Sequence, residues 1–364
     1  NFEEEKKILK KFYEVDYLNF DNSKNLNIYD LIGFFTLSNS LSNEALKIKL
    51  DTFNPDIVYI HNTWFKANLG IFDILKKENV EVVLKIHNFR FACTDTFSAS
   101  KHFNGKNFCF KCGNKKRRVG IFNKYFENSY LKSFFVVVYG KRYINILRKY
   151  NLKIIALNEF CKDYLIGKGV ERSKVFKNYN PFEVHESHIY SADSEYAVYA
   201  GSLTEQKGVK DLLESWQKSK IDFKLLIIGN GQLENKIIKK YSSKNIEFLG
   251  FLENKKTIDL IKNARAVITA TRVFEGQPRL LSEASAYGIP SIYPSFGGLD
   301  EYFPYDYKFS FKQFDYDDLI KKILLLENKQ LLNEESKKIH NYIAENMSLD
   351  KLSKNLEYIF KSNE

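Results

Sequence analysis

The sequence predicts an α/β protein made of two doubly wound domains, each a parallel sheet with helices on both faces. Short, almost continuously apolar segments alternate with amphipathic ones, which is typical of buried parallel strands and the helices that cover them. The alternation stops at a polar stretch, residues 183–195, and then starts again. The length of 364 residues suits two or three domains of ordinary size.

In the N-terminal half, each element is predicted from its own local pattern. An acidic first turn followed by lysines favours a helix over residues 1–12, and alternation of apolar and polar residues favours a strand over 13–20. Short apolar runs predict strands at 57–61, 80–87 and 153–157. Helices are predicted at 67–78, 122–150 and 159–167, with a long loop at 94–118.

In the C-terminal half, the same pattern predicts a second sheet. Its strands are expected at 196–201, 223–229, 246–250, 266–271 and 290–293, and its helices at 209–219, 232–242, 254–263, 280–287, 315–326 and 334–359. We therefore expect domains at 1–181 and 182–340, with a C-terminal helix over 341–364 that could cross back to the first domain. Sheets of this kind bind ligands at the carboxyl ends of their strands, so a cleft between the domains is the expected site.

Composition and charge exclude several classes of protein. Apolar residues make up 44% of the chain, which excludes a disordered protein, and four cysteines do not make a disulfide framework. No apolar run approaches the ~20 residues of a membrane-spanning helix. Of the net charge of +11, residues 101–150 contribute +12, from 13 basic side chains and one acidic one. Such a local excess predicts contact with an anionic partner.

The stretch Phe274–Pro290 has the chemistry of a ligand site. It follows a predicted strand and opens a helix, so the backbone amides of Arg279 and Leu280 lie in a first turn, where anions bind. Glu275 and Glu283 flank these amides, and carboxylates suit vicinal hydroxyls. The pattern fits a diphosphate that joins two sugars. The alternative is an ordinary amphipathic helix whose glutamates face solvent.

Glu275-x7-Glu283, followed by the small residues up to Pro290, resembles the EX7E signature of glycosyltransferase family 4, retaining sugar-nucleotide enzymes with the GT-B fold. Three further stretches resemble motifs of that family in the same order along the chain. Asn54–Asn62 is similar to its PDVVHVHN segment, and Tyr199–Gly208 to its strand and loop that end in Lys-Gly. Residues 84–112 are similar to a Cys-containing block of a polysaccharide-synthesis subgroup.

The resemblance implies a GT-B fold of two Rossmann-like domains facing a cleft, with the acceptor at 1–181 and the nucleotide sugar at 182–340. It implies retaining transfer of a hexosyl group from a nucleotide-sugar donor, with UDP- or GDP-sugars favoured, to a saccharide or lipid-linked saccharide. The setting would be synthesis of bacterial surface polysaccharide, such as capsule, exopolysaccharide or lipopolysaccharide. No metal or other cofactor is required by this family.

The resemblance also implies roles for individual residues. Glu283 would hold the ribose hydroxyls, Glu275 the hydroxyls of the donor sugar, and Lys207 would neutralise the departing diphosphate. His87 would contact the donor sugar beside the reacting carbon. The remaining candidates for donor binding are Gly276, Gln277, Arg279, Leu280, Ser202 and Arg272, and those on the acceptor side are His61, Asn88 and Arg90. Without the resemblance, His61 and His87 would be interpreted as core histidines and Lys207 as a solvated loop lysine.

The sequence departs from the family pattern in two respects. Ser202 stands where the family usually has arginine, so a cation for the leaving group is absent unless Arg272 or Arg279 replaces it. The family's first strand and Gly-rich loop would lie before Asn1, so the chain is expected to transfer sugar poorly. A catalytically silent nucleotide-sugar binder or assembly subunit is therefore an alternative, and a GT-B sugar-nucleotide epimerase is another.

The cysteines allow a structural zinc site. Cys109-x2-Cys112 has the spacing of half a zinc site, Cys93 could be a third ligand, and His102 or His87 a fourth. Without a second CxxC pair, buried thiols are the alternative interpretation.

The basic segment 101–150 also carries many aromatic residues. This combination suits an anionic membrane surface, which predicts a cytoplasmic protein attached peripherally to the inner face of the membrane. Single-stranded nucleic acid is a less favoured partner, and a solvated helical insertion with core aromatics is the simplest alternative.

Overall fold

The structure, a computed structural model, describes residues 2–21, 27–64, 66–88, 129–184 and 189–362. It divides the chain into two compact units. Unit 1 comprises Asn1–Asn180 and Ser353–Glu364, and unit 2 comprises Pro181–Leu352.

Unit 1 is built around a four-stranded sheet of order β1-β2-β3-β4 in which all neighbouring strands are parallel. Its strands are β1 (Ile57–Ile60), β2 (Glu81–Ile86), β3 (Lys153–Ala156) and β4 (Val175–Lys177). Its helices are α1 (Phe2–Leu9), α2 (Ile28–Thr36), α3 (Ser40–Phe53), α4 (Gly70–Lys77), α5 (Tyr130–Lys149) and α6 (Glu159–Gly167).

Unit 2 contains a six-stranded parallel sheet of order β10-β9-β8-β5-β6-β7. The strands are β5 (Tyr196–Ala200), β6 (Lys224–Ile228), β7 (Ile246–Gly250), β8 (Ala266–Ile268), β9 (Ser291–Ser295) and β10 (Ser310–Lys312). The helices are α7 (Val209–Ser219), α8 (Glu234–Tyr241), α9 (Asn254–Lys262), α10 (Arg279–Ala286), α11 (Tyr316–Leu324), α12 (Lys329–Met347) and, continuing into unit 1, α13 (Leu349–Lys361). Numbered within the unit, the strand order is 3-2-1-4-5-6, the Rossmann order.

The order of the strands in unit 2 reverses between β5 and β8. Their carboxyl ends lie side by side, and the chains that leave them turn to opposite sides of the sheet. This is the topological switch point where doubly wound sheets bind ligands. The Rossmann-like architecture predicted from the alternating pattern is confirmed for both units.

One face of the unit 1 sheet is covered by α1 and α13. Leu9 of α1 and Leu356, Ile359 and Phe360 of α13 pack with Val83 and Ile155 from the strands. The apolar stripe of α13 therefore belongs to the core of unit 1.

Two expectations about secondary structure are wrong. Residues 13–20, predicted to be a strand, have no regular secondary structure. Tyr13 and Val15 pack on the core of unit 1 while Tyr17 is 51% exposed, so the alternation reflects one buried side and not pairing with another strand. The helix predicted over 334–359 is two helices, because Ser348 between them has extended backbone, with ψ 149°.

Helices α2 and α3 were absent from the sequence prediction. Asn27 begins α2 with a capping box, in which its side chain accepts from the amide of Asp30 at 2.9 Å and the Asp30 carboxylate accepts from the Asn27 amide at 3.0 Å. The Asn-x-x-Asp pattern was the signal that could have found it. The predicted helix over 122–150 begins at Tyr130 within the described residues, and the loop predicted at 94–118 lies outside them.

We expect the core contributed by α13 to be required for the stability of unit 1. Ile359 is 2% exposed, so Ile359→Ala should lower the free energy of unfolding by about 2–5 kcal/mol, the usual cost of such a cavity. Tyr358→Ala is the matched control on the same helix, because Tyr358 is 65% exposed. Urea denaturation with hydrogen exchange of the β1–β3 amides measures both, and equal effects of the two variants would contradict the assignment of this helix face to the core.

Candidate active site

The loops that follow β5 and β8 meet at the switch point because of a glycine. Gly208 has φ +66°, and a Cβ there would lie 1.8 Å from the carbonyl oxygen of Ala270. No other residue could occupy this position without displacing one of the two loops. The amide of Arg272 also donates to the carbonyl oxygen of Gln206 at 2.8 Å, which ties the loops together directly.

This meeting brings together two residues that are far apart in the sequence. The Lys207 ammonium lies 2.5 Å from Oε1 of Glu275, and the Thr271 hydroxyl donates to the same oxygen at 3.1 Å. The side chains of Lys207 and Glu275 remain 35% and 18% exposed, so ligand can reach them. A partly solvated ion pair of this kind contributes little stability, and its partners can exchange for those of a ligand.

The hydroxyl of Tyr199 holds the loop after β5 in place. It donates to the carbonyl oxygen of Ser202 at 3.0 Å. Burial, and then the nearby Glu275 carboxylate, raises the pKa of Tyr199, so the hydroxyl keeps its proton and acts as a donor. Ser202 is thereby held by its backbone.

Both arginines considered as replacements for the absent family cation are paired with carboxylates. Arg272 makes a bidentate contact with Asp211 of α7, at 2.7 Å from Nε to Oδ2 and 2.6 Å from Nη2 to Oδ1. Nε of Arg279 donates to Oε1 of Glu283 at 2.6 Å, one turn along α10. Lys207 is the predicted cation that lies beside Glu275. Arg272 is held against Asp211 of α7, and Arg279 against Glu283.

The amino end of α10 is positioned by the loop before it. Pro278 precedes the helix and makes no side-chain cap, and the carbonyl oxygen of Gly276 accepts from the Tyr302 hydroxyl at 2.6 Å. The side-chain amide of Gln277 donates from Nε2 to the Ser282 hydroxyl at 3.3 Å. The first-turn amides of α10 include those of Arg279 and Leu280, which have no partner inside the helix.

The candidate residues of unit 1 lie at the carboxyl ends of two neighbouring strands. His61 follows β1 and His87 follows β2, with Nδ1 of His61 3.1 Å from Nε2 of His87. Nε2 of His61 is 3.3 Å from Oε2 of Glu5, a carboxylate only 2% exposed. Burial, assisted by the nearby Lys85 ammonium, lowers the pKa of both histidines to about 3.

The sequence prediction missed the groups that hold these histidines. Lys85 is 1% exposed and forms an ion pair with Glu5, and its ammonium also donates to the carbonyl oxygen of Tyr179 at 3.1 Å. The Tyr59 hydroxyl donates to Oε2 of Glu5 at 2.8 Å. Lys85, which follows three apolar residues of β2, was the signal, because a buried charge requires a partner. The identity of that partner, on α1, could not be deduced locally.

The remaining predicted residues lie at the end of a described range or outside the described ranges. Asn88 follows His87 and is half-buried. Arg90, Cys93, His102, Cys109, Cys112 and residues 101–128 of the basic segment lie outside the described residues. Within the described ranges, no group of three or more His, Cys, Asp or Glu side chains could hold a metal ion. None of the described helices is both long enough and apolar enough to cross a membrane.

Comparison with known proteins shows similarity to glycosyltransferases. Residues 182–346 match the family model of glycosyl transferases group 1. The amylovoran biosynthesis glycosyltransferase AmsD of Erwinia amylovora is 30% identical over 149 residues, which cover 38% of this chain and 42% of that protein. The lipopolysaccharide 1,6-galactosyltransferase of Escherichia coli is 29% identical over 150 residues, 38% of this chain and 41% of that protein. The match thus spans about two fifths of the length of these relatives.

Solved structures extend the likeness to nearly the whole fold. The Anabaena protein HepE, solved in complex with UDP-glucose, superposes with a TM-score of 0.65 at 14% identity, over 91% of this chain and 84% of that one. The chain therefore has the GT-B fold, as predicted.

The glycine at the meeting of the loops yields a direct test. Gly208→Ala should lower the free energy of unfolding of unit 2 by about 1–2 kcal/mol for the left-handed backbone and by a further 1–3 kcal/mol for overpacking against Ala270. Gly250→Ala is the matched control, because Gly250 also has φ +66° but a Cβ there would meet nothing within 4 Å. If both variants lost the same free energy of unfolding in urea denaturation, the close approach of Gly208 to Ala270 would add no cost of its own.

Proposed function

We propose that this protein is a retaining glycosyltransferase that moves a sugar from a nucleotide donor to a saccharide or lipid-linked saccharide. The observation that carries the proposal is the contact between Lys207 and Glu275 at the switch point, beside the amino end of α10, within the part that matches the group 1 model. A UDP-sugar is the first donor to test, since a protein of the same fold holds UDP-glucose.

The side chains support distinct roles in this reaction. A diphosphate would draw Lys207 away from Glu275, because two phosphate charges attract the ammonium more strongly than one carboxylate does. Lys207 would then stabilise the charge that develops on the leaving group. The released Glu275 carboxylate would accept hydrogen bonds from the donor sugar, and Glu283 from the ribose. The first-turn amides of α10 would bind phosphate, as helix amino ends do.

The names of the two curated relatives favour surface polysaccharide as the pathway. One is named for biosynthesis of amylovoran and the other for lipopolysaccharide. We therefore place the acceptor among the saccharides of bacterial surface polysaccharide synthesis, on the unit 1 side. The pairing of Arg272 and Arg279 with carboxylates keeps the silent nucleotide-sugar binder as the second candidate.

Turnover tests the assignment of Lys207. Lys207→Met should reduce kcat about 10²–10³-fold, the usual loss when one group that stabilises developing charge is removed. Lys210→Met is the control, since Lys210 lies three residues further on, is 51% exposed and only approaches Glu214, at 3.8 Å. The assay is release of nucleoside diphosphate from UDP-, GDP- and ADP-sugars in the presence of saccharide acceptors.

The same experiment separates the two candidates. A rise in thermal midpoint with a nucleotide sugar but no nucleotide release would favour the silent binder. Equal activity of the Lys207 and Lys210 variants would contradict the proposed role. The configuration of the product at its anomeric carbon, read by NMR, tests retention.

We also propose peripheral attachment to the inner face of the cytoplasmic membrane, through α2 and the start of α5. Ile28, Leu31 and Ile32 of α2 are each at least half exposed, as is Leu131 of α5. The two helices are in contact, with the rings of Phe35 and Phe135 4.6 Å apart. Apolar side chains on adjacent helices, one of which lies within the basic segment 101–150, suit an anionic lipid surface.

Flotation measures this attachment. The double variant Leu31→Ser/Leu131→Ser should reduce binding to vesicles of phosphatidylglycerol and phosphatidylcholine by about tenfold or more, since each buried leucine contributes about 1.5–3 kcal/mol. Phe251→Ser is the control, because Phe251 is 72% exposed but belongs to unit 2. Equal partition of the unaltered protein into anionic and neutral vesicles would argue against the proposal.

A further inference from the structure

Three side chains form a line at the carboxyl edge of the unit 1 sheet: Glu5 of α1, His61 after β1 and His87 after β2. Register pairs Ile60 with Leu84, so His61 follows β1 at the level of Lys85, and His87 lies two residues further along the neighbouring strand. Alternation along the strands directs Tyr59 and His61, and likewise Lys85 and His87, to one face of the sheet. This is the face that α1 covers, and α1 supplies Glu5.

The line runs from Glu5 through His61 to His87. Oε2 of Glu5 lies 3.3 Å from Nε2 of His61, and Nδ1 of His61 lies 3.1 Å from Nε2 of His87. The two ring planes are inclined by only 19°. An N–H in the plane of one ring can therefore point at the nitrogen of the other.

The Glu5 carboxylate has a fixed position and can only accept. Oε1 is paired with the Lys85 ammonium, and Oε2 accepts from the Tyr59 hydroxyl at 2.8 Å. Lys85 is itself held by the carbonyl oxygen of Tyr179. The nitrogen of His61 that faces Oε2 must carry the proton, because otherwise two lone pairs would face each other at 3.3 Å.

The positions of the protons on the His61 and His87 rings follow from this contact. Burial lowers the pKa of both histidines to about 3, so each is neutral at pH 7 and carries one N–H. Since Nε2 of His61 is protonated, its Nδ1 is an acceptor, and Nε2 of His87 donates to it. Nδ1 of His87 is left with a lone pair, and within the described residues it has no hydrogen-bond partner.

We propose that Glu5 and His61 are positioning residues that hold His87 as the Nε2–H tautomer, so that Nδ1 of His87 accepts a hydrogen bond from a hydroxyl of a saccharide substrate bound at the carboxyl edge of the unit 1 sheet. The inference rests on the proposed function for its substrate. It assigns His87 the role of a neutral acceptor, neither a cation nor a proton donor. A saccharide that lacks this hydroxyl, or carries an acceptor in its place, should therefore be selected against.

The tautomer is read without any substrate. In protein labelled with ¹⁵N-histidine, two-bond ¹H–¹⁵N correlation spectra at pH 7 should show His87 protonated at Nε2 and bare at Nδ1, with the same pattern for His61. The signals are assigned from the His61→Asn and His87→Gln variants. A His87 protonated at Nδ1, or a charged imidazolium, would overturn the proposal.

Kinetics test the positioning role. His61→Leu removes the acceptor for His87 and should lower kcat/KM about 10–100-fold, the scale of loss when a reacting geometry is misplaced. His61→Asn places an oxygen near the position of Nδ1 and should restore most of that loss. Tyr59→Phe is the matched control, because it removes a donor from the same Glu5 oxygen without touching the imidazoles, and it should change kcat/KM by only a few fold.

The outcomes separate this inference from the proposed function. If no donor turns over, the proposed function fails and the tautomer alone decides whether Glu5 and His61 orient His87. Turnover that survives His61→Leu unchanged, in protein with an unaltered thermal midpoint, overturns the positioning role while the proposed function stands. Equal losses in His61→Leu and His61→Asn would also overturn it.

Discussion

The close approach of Gly208 to the carbonyl group of Ala270 is the constraint on which the candidate donor site depends. A parallel sheet whose order reverses between β5 and β8 brings two loops side by side, but their backbones meet only because one residue lacks a Cβ. The Lys207–Glu275 pair follows from that approach, as does the hydrogen bond between the Arg272 amide and Gln206. The position of the Lys207–Glu275 pair thus depends on how closely the two backbones pack at Gly208.

The two units hold their charged groups in different ways. In unit 2, Lys207 and Glu275 are partly exposed, so water and ligand can compete for them at little cost. In unit 1, Glu5 and Lys85 are almost fully buried, and an ion pair there persists only when its remaining hydrogen bonds are satisfied. The first arrangement suits groups that must change partners during a reaction. The second suits groups that must keep one orientation throughout it.

Much of unit 2 could be predicted from local pattern, because each strand is a short apolar run and each helix has its own apolar face. The prediction was wrong where one local pattern is compatible with two different structures. Alternation at residues 13–20 indicated a strand, yet the segment packs Tyr13 on the core without a neighbouring strand. The residues of the EX7E pattern were identified by spacing and resemblance. Glu5 was not, because the meeting of α1 with the end of β1 depends on contacts distant in sequence.

The packing of α13 on the strands of unit 1 has a consequence for synthesis. A ribosome makes residues 1–180 first, but Leu356, Ile359 and Phe360 emerge only after the whole of unit 2. Until then, Val83 and Ile155 lack part of their cover, and the face that carries the buried Glu5–Lys85 pair is open on one side. Unit 1 therefore completes its core only after unit 2 has been synthesised, and until then its partly covered sheet is open to chaperones and proteases.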